Sequence, residues 1–376
     1  MTGGDGAVAS PDAGSAAATD APAARPRPLP SRTLRDVGSL VSSGLIDPTR
    51  RDALTAVAER YATAVPPAFA ALIREGDDPI GRQVLPHEDE LVVAPHELSD
   101  PIGDDRLSPV PGVVHRYPDR ALLKPLLVCP LYCRFCFRRE HVGPDGGVLD
   151  EAALERALDW FRTHREVGEA ILTGGDPLML SPRRLRHIVT ALGEMPHIHT
   201  IRVHTRVPVA DPSRLDDAMA DALETEKAMW VVLHANHADE LTPDAVAAVR
   251  RLQRRAIPVL GQSVLLRGVN DREDAMEALL RAMVRARIRP YYLHQLDPAP
   301  GTARFHVPVA EGRALLRRLR GRVTGLAWPT YVVDIPGGHG KVPLGPDYLD
   351  TGNGTAVSVR DPAGRSHVLA AEEAEG

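Results

Sequence analysis

Cysteine is nearly missing from this 376-residue chain: only Cys129, Cys133 and Cys136 occur, all within eight residues of one another. An odd, clustered set makes a poor disulfide framework, so the thiols read as a metal or cluster site in a reducing compartment. Lysine is as scarce. Lys124, Lys227 and Lys341 are the three, leaving arginine as 42 of the 45 basic residues, and few side chains can serve where an amine must give up its proton. A basic excess is also lacking. The formal net charge of -5 argues against nucleic acid as the main partner, because phosphate binding shows as a positive stripe. No apolar run approaches the ~18 residues of a membrane span, and the N-terminus has neither the basic nor the apolar region of a secretory signal. The expected location is cytoplasmic, with no membrane contact.

The length allows one large α/β domain or two ordinary ones. Residues 1–30 are rich in Ala, Pro, Gly, Ser and Asp and read as a disordered tail. Residues 31–115 read as short amphipathic helices followed, from about 76, by a Pro-rich, acidic connector. From 116 to 308, strand-like runs at 121–128, 170–173, 200–205, 229–235, 259–266 and 289–297 alternate with stretches of helical period. Six strands with intervening helices imply parallel βαβ units. The closing region, 309–376, adds one more helix and a run at 330–335. Functional residues are expected in the loops after the strand C-termini.

The sequence Cys129-Pro-Leu-Tyr-Cys133-Arg-Phe-Cys136 follows the first strand directly. Thiolates are the usual ligands of iron–sulfur clusters, and three without a fourth leave one iron open to another ligand. Zinc with His141 as the fourth ligand is an alternative, and three inert thiols are another. After the second strand comes Gly174-Gly175-Asp176-Pro177. Alone it is a weak signal, more often a plain turn, although paired glycines admit a close ligand and Asp176 can accept from an ammonium. Near the end, Asp334-Ile-Pro-Gly-Gly-His-Gly-Lys341-Val-Pro places a rare lysine after a glycine-rich turn. No helix with Ser or Thr follows, so a phosphate loop is disfavoured. A Schiff-base lysine is the better reading, with a solvated loop lysine as the bland one.

C-x3-C-x2-C after strand one resembles the signature of the radical S-adenosylmethionine superfamily. Arg116-Tyr-Pro-Asp-Arg120, Tyr132 to Arg139, Gln262 to Asp271, Arg289-Pro-Tyr-Tyr292 and Pro336 to Lys341 occur in the order of the lysine 2,3-aminomutase family, over roughly residues 80 to 350. The resemblance implies a partial (β/α)6 barrel of TIM type behind an N-terminal helical extension. It implies a [4Fe–4S] cluster on Cys129, Cys133 and Cys136, with S-adenosylmethionine chelating the open iron near Gly174, Gly175, Asp176, Arg206, His234 and Gln262. Pyridoxal 5′-phosphate would be held by Lys341, its phosphate by Arg116, Tyr117 and Arg120. The substrate carboxylate would fall to Arg138 and its side-chain ammonium to Asp297 and Asp334, since a buried cation wants carboxylates and a carboxylate a guanidinium.

The activity implied is interconversion of L-lysine and β-lysine through a 5′-deoxyadenosyl radical, with a reductant such as flavodoxin or ferredoxin and a homo-oligomeric assembly. Arginine or another basic amino acid as substrate, and a radical enzyme without pyridoxal phosphate, are the alternatives. Tyr292-Leu-His-Gln-Leu-Asp297 is similar to the branch that makes β-lysine for modifying elongation factor P. Three departures stand out. No cysteine is spare for the structural zinc of some members, so none is expected; His339 interrupts the glycine turn; and Pro298-Ala-Pro300 follows Asp297.

Overall fold

The computed structural model describes residues 30–350, 356–362 and 364–371. The expected tail, apart from Pro30, lies outside them. Four short helices open the described chain: α1 (Val37–Ser42), α2 (Arg51–Arg60), α3 (Pro67–Ala70) and α4 (Gly81–Val84). Asp36 caps α1, its carboxylate accepting from the Ser39 amide at 2.7 Å. Leu40, Leu54, Val57, Tyr61 and Phe69 form a small core that also takes in Leu131 of the cysteine loop. The N-terminal extension is thus packed onto the cysteines.

Nine strands form one sheet whose spatial order follows the chain: β1 (Val113–Tyr117), β2 (Arg120–Leu126), β3 (Glu169–Gly174), β4 (Thr200–Thr205), β5 (Ala228–His234), β6 (Val259–Val264), β7 (Arg289–His294), β8 (Thr330–Asp334) and β9 (Lys341–Pro343). Strands β2 to β8 are parallel, while β1 and β9 run antiparallel at the two edges. Helices α5 (Glu151–Thr163), α6 (Pro182–Gly193), α7 (Val207–Ala210), α8 (Asp217–Asp221), α9 (Pro243–Arg254), α10 (Glu273–Arg285) and α11 (Val309–Leu319) fill the crossovers. Asp150, Ser181, Asp216 and Thr242 cap α5, α6, α8 and α9 with side-chain oxygens. Six strand–helix units without a reversal of strand order curl into a half-barrel, the partial (β/α)6 architecture expected. The sheet runs unbroken from Val113 to Pro343, across the boundaries read at 115/116 and 308/309. A separate antiparallel sheet, β10 (Leu349–Asp350), β11 (Ala356–Arg360) and β12 (Ser366–Ala371), follows.

A closed parallel barrel fills its interior with apolar side chains. Here one face of each strand does pack on helices: Ala121 and Leu123, Ile201 and Val203, Val231 and Leu233 are buried in the main core. The alternate residues are different. Lys124 on β2, Arg202 and His204 on β4, His234 on β5, Gln262 on β6 and Tyr292 and His294 on β7 are only half-buried. Parallel strands normally read apolar on both faces, so this polar alternation marks a hollow interior.

The turn after β3 needs its glycines for packing. Gly174 has φ +109°, and a Cβ there would stand 2.5 Å from the Leu126 carbonyl oxygen. A Cβ on Gly175 would stand 2.5 Å from the Val128 amide nitrogen and overlap its carbonyl oxygen. Gly175→Ala is therefore expected to destabilise the protein by about 1–3 kcal/mol and to lower bound iron, because Val128 leads into Cys129. Gly325→Ala, where nothing lies within 4 Å, should leave both unchanged. Urea unfolding midpoints and iron per chain after anaerobic reconstitution would check this.

Candidate active site

A cavity of about 640 Å³ occupies the hollow of the half-barrel, and every residue expected to hold the cluster, S-adenosylmethionine, pyridoxal phosphate or substrate lines it. The thiols stand at the C-terminal end of β2, and Lys341 begins β9. Arg116, Tyr117 and Arg120 flank the hairpin that opens the sheet.

Backbone of the N-terminal extension shapes the cysteine loop. The amides of Tyr132 and Arg134 donate to the carbonyls of Ala64 (3.2 Å) and Gln83 (2.8 Å). Glu90, fully buried, takes a forked contact from Arg134, with Nε 2.9 Å from Oε2, and another from Arg139 Nη2. Burial alone would raise the Glu90 pKa; Arg134 and Arg139 outweigh it and hold it below the ordinary value. Phe135 is buried among Leu266, Val269, Leu296 and Phe305 and stacks on the His234 ring with centroids 5.7 Å apart.

Burial pushes the Cys129 thiol well above its ordinary pKa, with Asp176 and the other thiols adding to it; Cys136 is pushed up to about 11 by burial and by Cys133. Thiols so crowded ionise only against added positive charge, which bound iron supplies. Among the described residues, no three His, Cys, Asp or Glu side chains sit close enough together to share a single ion, and His141 is exposed and outside the cavity. The arrangement suits a cluster, whose corners are spread, better than zinc.

Three of the residues expected to meet ligands are engaged by protein partners. The Asp176 carboxylate is not free for a ligand's ammonium: it accepts from the Thr205 hydroxyl (2.8 Å) and the amides of Arg206 (2.6 Å), Val207 (3.1 Å) and Leu178 (3.1 Å). It thereby ties the end of β3 to the start of α7 and fixes Arg206. The Arg206 guanidinium is committed in turn, donating to Cys133 Sγ (2.8 Å), Gln83 Oε1 (2.6 Å) and Glu240 Oε2 (2.9 Å). Its charge serves the thiols. Arg138 gives its Nε to Asp104 at 2.7 Å, while Lys124 Nζ reaches the same oxygen at 3.3 Å. Two cations on one buried carboxylate leave a net positive corner, with the Arg138 guanidinium lying 4.4 Å over the Phe137 ring.

The acidic corner is opposite in character. Asp334 and Lys341 face each other across β8 and β9 and form an ion pair. Arg116 Nη2 lies 3.1 Å from Asp334 Oδ1, at an angle outside hydrogen-bond geometry, since that oxygen is otherwise unbonded. Asp334 is held well below the usual carboxylate range: burial opposes this, but His294 and Lys341 prevail. The Asp297 carboxylate has no hydrogen-bond partner among the described residues, and its pKa is raised to about 7, first by burial and then by Asp334. A carboxylate in that state calls for a cation.

The Lys341 amide donates to the Tyr117 hydroxyl at 2.8 Å, and the Arg120 guanidinium lies 3.8 Å over the Tyr117 ring. Gly337, Gly338 and Gly340 all have positive φ, and the turn is strapped by Gly337 N donating to Pro101 O (2.9 Å). His339 is exposed and outside the cavity, so its departure from glycine does not reach the pocket. Pro298 accepts from the Leu98 amide at 2.7 Å, joining the segment after Asp297 to the connector. Sequence reasoning missed Asp104, Lys124, Arg202, His204 and His294. The alternation Arg202, His204, Arg206 and Tyr292, His294 was a visible signal for most of them; Asp104 sits in an irregular connector without one.

Residues 123–280 match the family model for the radical SAM superfamily, and residues 316–365 the one for lysine-2,3-aminomutase. The chain is 38% identical over 300 residues to the L-lysine 2,3-aminomutase of Clostridium subterminale, covering 79% of this chain and 72% of that one. It is 37% identical over 287 residues to that of Escherichia coli K12 (76% and 83% covered). A glutamate 2,3-aminomutase from Clostridioides difficile is 32% identical over 321 residues (85% and 76% covered). No helix among the described residues is long and apolar enough to cross a membrane.

Asp297 generates a stability prediction. Its pKa is about 7 in the fold and about 3.9 when unfolded, so the contribution present below pH 4 is lost as pH rises through 7. Asp297→Asn does not titrate. In substrate-free protein its thermal midpoint should exceed the parent's by a few degrees at pH 8, and the gap should shrink as pH falls toward 4. Melting curves at pH 4.5, 6 and 8 would measure it.

Proposed function

The chain belongs to the lysine 2,3-aminomutase family of radical S-adenosylmethionine enzymes, and from that premise we propose that it moves the 2-amino group of L-lysine to carbon 3, giving β-lysine, with pyridoxal phosphate on Lys341. The observation that carries the choice of lysine is Asp297, a half-buried carboxylate beside Asp334 that has no hydrogen-bond partner among the described residues and faces a cavity whose other corner is cationic. A side-chain ammonium answers the first corner and an α-carboxylate the second. Glutamate would place a second carboxylate against Asp297 and Asp334.

When bound, a cluster with S-adenosylmethionine would supply radical chemistry and pyridoxal phosphate an unsaturated carbonyl carrier for the amino group. The chain's residues fit those groups. Three cavity-lining thiols with Arg206 donating to one of them suit the cluster. A half-buried lysine amine with two arginines and a tyrosine hydroxyl nearby suits an anionic carbonyl cofactor. Arg138, steadied by Asp104, orients the substrate carboxylate. Asp297 takes the far ammonium, aided by Asp334.

Reconstituted protein incubated anaerobically with reductant and each of lysine, arginine, ornithine and glutamate should convert lysine, identified as β-lysine by chromatography and mass. Conversion of another substrate in preference, or full activity in Lys341→Ala, would sink the proposal. Asp297→Asn should raise KM for lysine about 10–100-fold, the worth of a hydrogen bond between charged groups. In the parent, KM should climb as pH drops below about 7, where Asp297 gains its proton; the variant should lack this dependence.

A further inference from the structure

We infer that His294 is the base that takes the proton from Lys341 when that amine is recruited to hold its cofactor. The inference rests on the reading of Lys341 as the pyridoxal lysine. His294 Nδ1 lies 3.2 Å from Lys341 Nζ, and the other ring nitrogen, Nε2, is buried with no hydrogen-bond partner. A histidine kept for packing has both nitrogens satisfied; this one meets the reacting amine, with Asp334 behind it, at Nδ1 and has no partner at Nε2. With Nδ1 accepting from Lys341, the ring hydrogen sits on Nε2, and the imidazole is in the form that can receive a second proton.

Two acceptors touch the Lys341 amine, and they differ in kind. Asp334 forms an ion pair with it, which stabilises the ammonium and so works against a free lone pair. As a carboxylate held well below its usual range, Asp334 is also a poor base. The imidazole is the stronger one. Burial, and then the Lys341 charge, lower the His294 pKa, so it is neutral while the ammonium is present. Once the proton has crossed, the depressing charge is gone, while Asp334 Oδ2, 3.8 Å from Nδ1, remains to stabilise the imidazolium. The other groups around the ring are Tyr292, with centroids 5.6 Å apart, and, at longer range, His204 on β4 and His234 on β5. Neither histidine is charged at neutral pH, because burial lowers both well below the ordinary value. The step is one proton: an N–H bond on Lys341 breaks and one forms on His294, with no co-reactant. General bases of this kind are worth about 100-fold or more.

The test uses full-length, cluster-bearing protein stripped of pyridoxal phosphate. Pyridoxal phosphate is added back and its attachment followed at about 420 nm, with borohydride trapping and peptide mass mapping to place the adduct on Lys341. His294→Ala should load about 100-fold more slowly at pH 7, recover as pH is raised, and be rescued by added imidazole. His294→Gln, measured in the same way, gives a second variant should alanine impair iron binding. Unchanged loading, or slow loading that neither imidazole nor higher pH restores, overturns the role of His294. If the parent itself forms no adduct on Lys341, the cofactor reading falls, and this inference with it.

Discussion

A single buried guanidinium holds the cysteine end of the half-barrel together. Arg206 reaches Cys133, Gln83 and Glu240 at once, joining the cysteine loop, the N-terminal extension and the segment after β5. A planar fork with several fixed donors can do this where an ammonium cannot. Glu240 in turn accepts from the amides of Asn236 (2.9 Å) and His237 (3.0 Å), and Asp176 fixes the Arg206 backbone from β3. Removing one member would leave a desolvated charge unmatched, which costs several kcal/mol. The N-terminal helices are therefore part of the site: Gln83 and Glu90 lie far from the cysteines in sequence yet provide the acceptors for Arg206, Arg134 and Arg139.

The second constraint is the hollow. Ionisable side chains turned into a half-barrel interior weaken the fold, and the signs are visible in unpaired buried atoms: Nε2 of His204, His234 and His294, and Oδ1 of Asp334. Such atoms are retained where a ligand completes them. Stability comes from the other face of the same strands, where Leu123, Val203 and Leu233 are packed without exposure against the helices. Each strand thus divides its residues by parity between holding the barrel and lining the cavity.

That parity explains what the sequence disclosed. The parallel strands were legible because their outward residues form apolar runs bounded by turns, and the motifs were legible because sites gather at strand ends. Strand limits were overrun where buried loop residues prolong the apolar pattern: Leu265 and Leu266 read as strand but pack after β6 has ended. The edge strands β1 and β9 went unread because five and three residues are too few to show a period, and the small sheet β10–β12 was not anticipated. Partnerships were the least legible. Asp176, Arg206 and Arg138 were placed in the cavity from motif position, but nothing in one dimension says that Thr205, Gln83 or Asp104 already engages them.

The two corners of the cavity are linked through Asp334. While Lys341 keeps its proton, Asp334 has a full counter-charge across the strand pair and Asp297 stands as the unmatched acid. When the amine loses that proton, the positive charge of the corner falls by one or moves to His294, farther from Asp334 than Nζ was, and the field of two carboxylates is less fully offset. An arriving ammonium then gains more from Asp297 and Asp334 than it would have gained before. Under the proposed function, the same charges that set how readily Lys341 is deprotonated would also set how strongly the corner selects a cation, so commitment of the lysine and preference for a basic substrate would follow from one electrostatic balance.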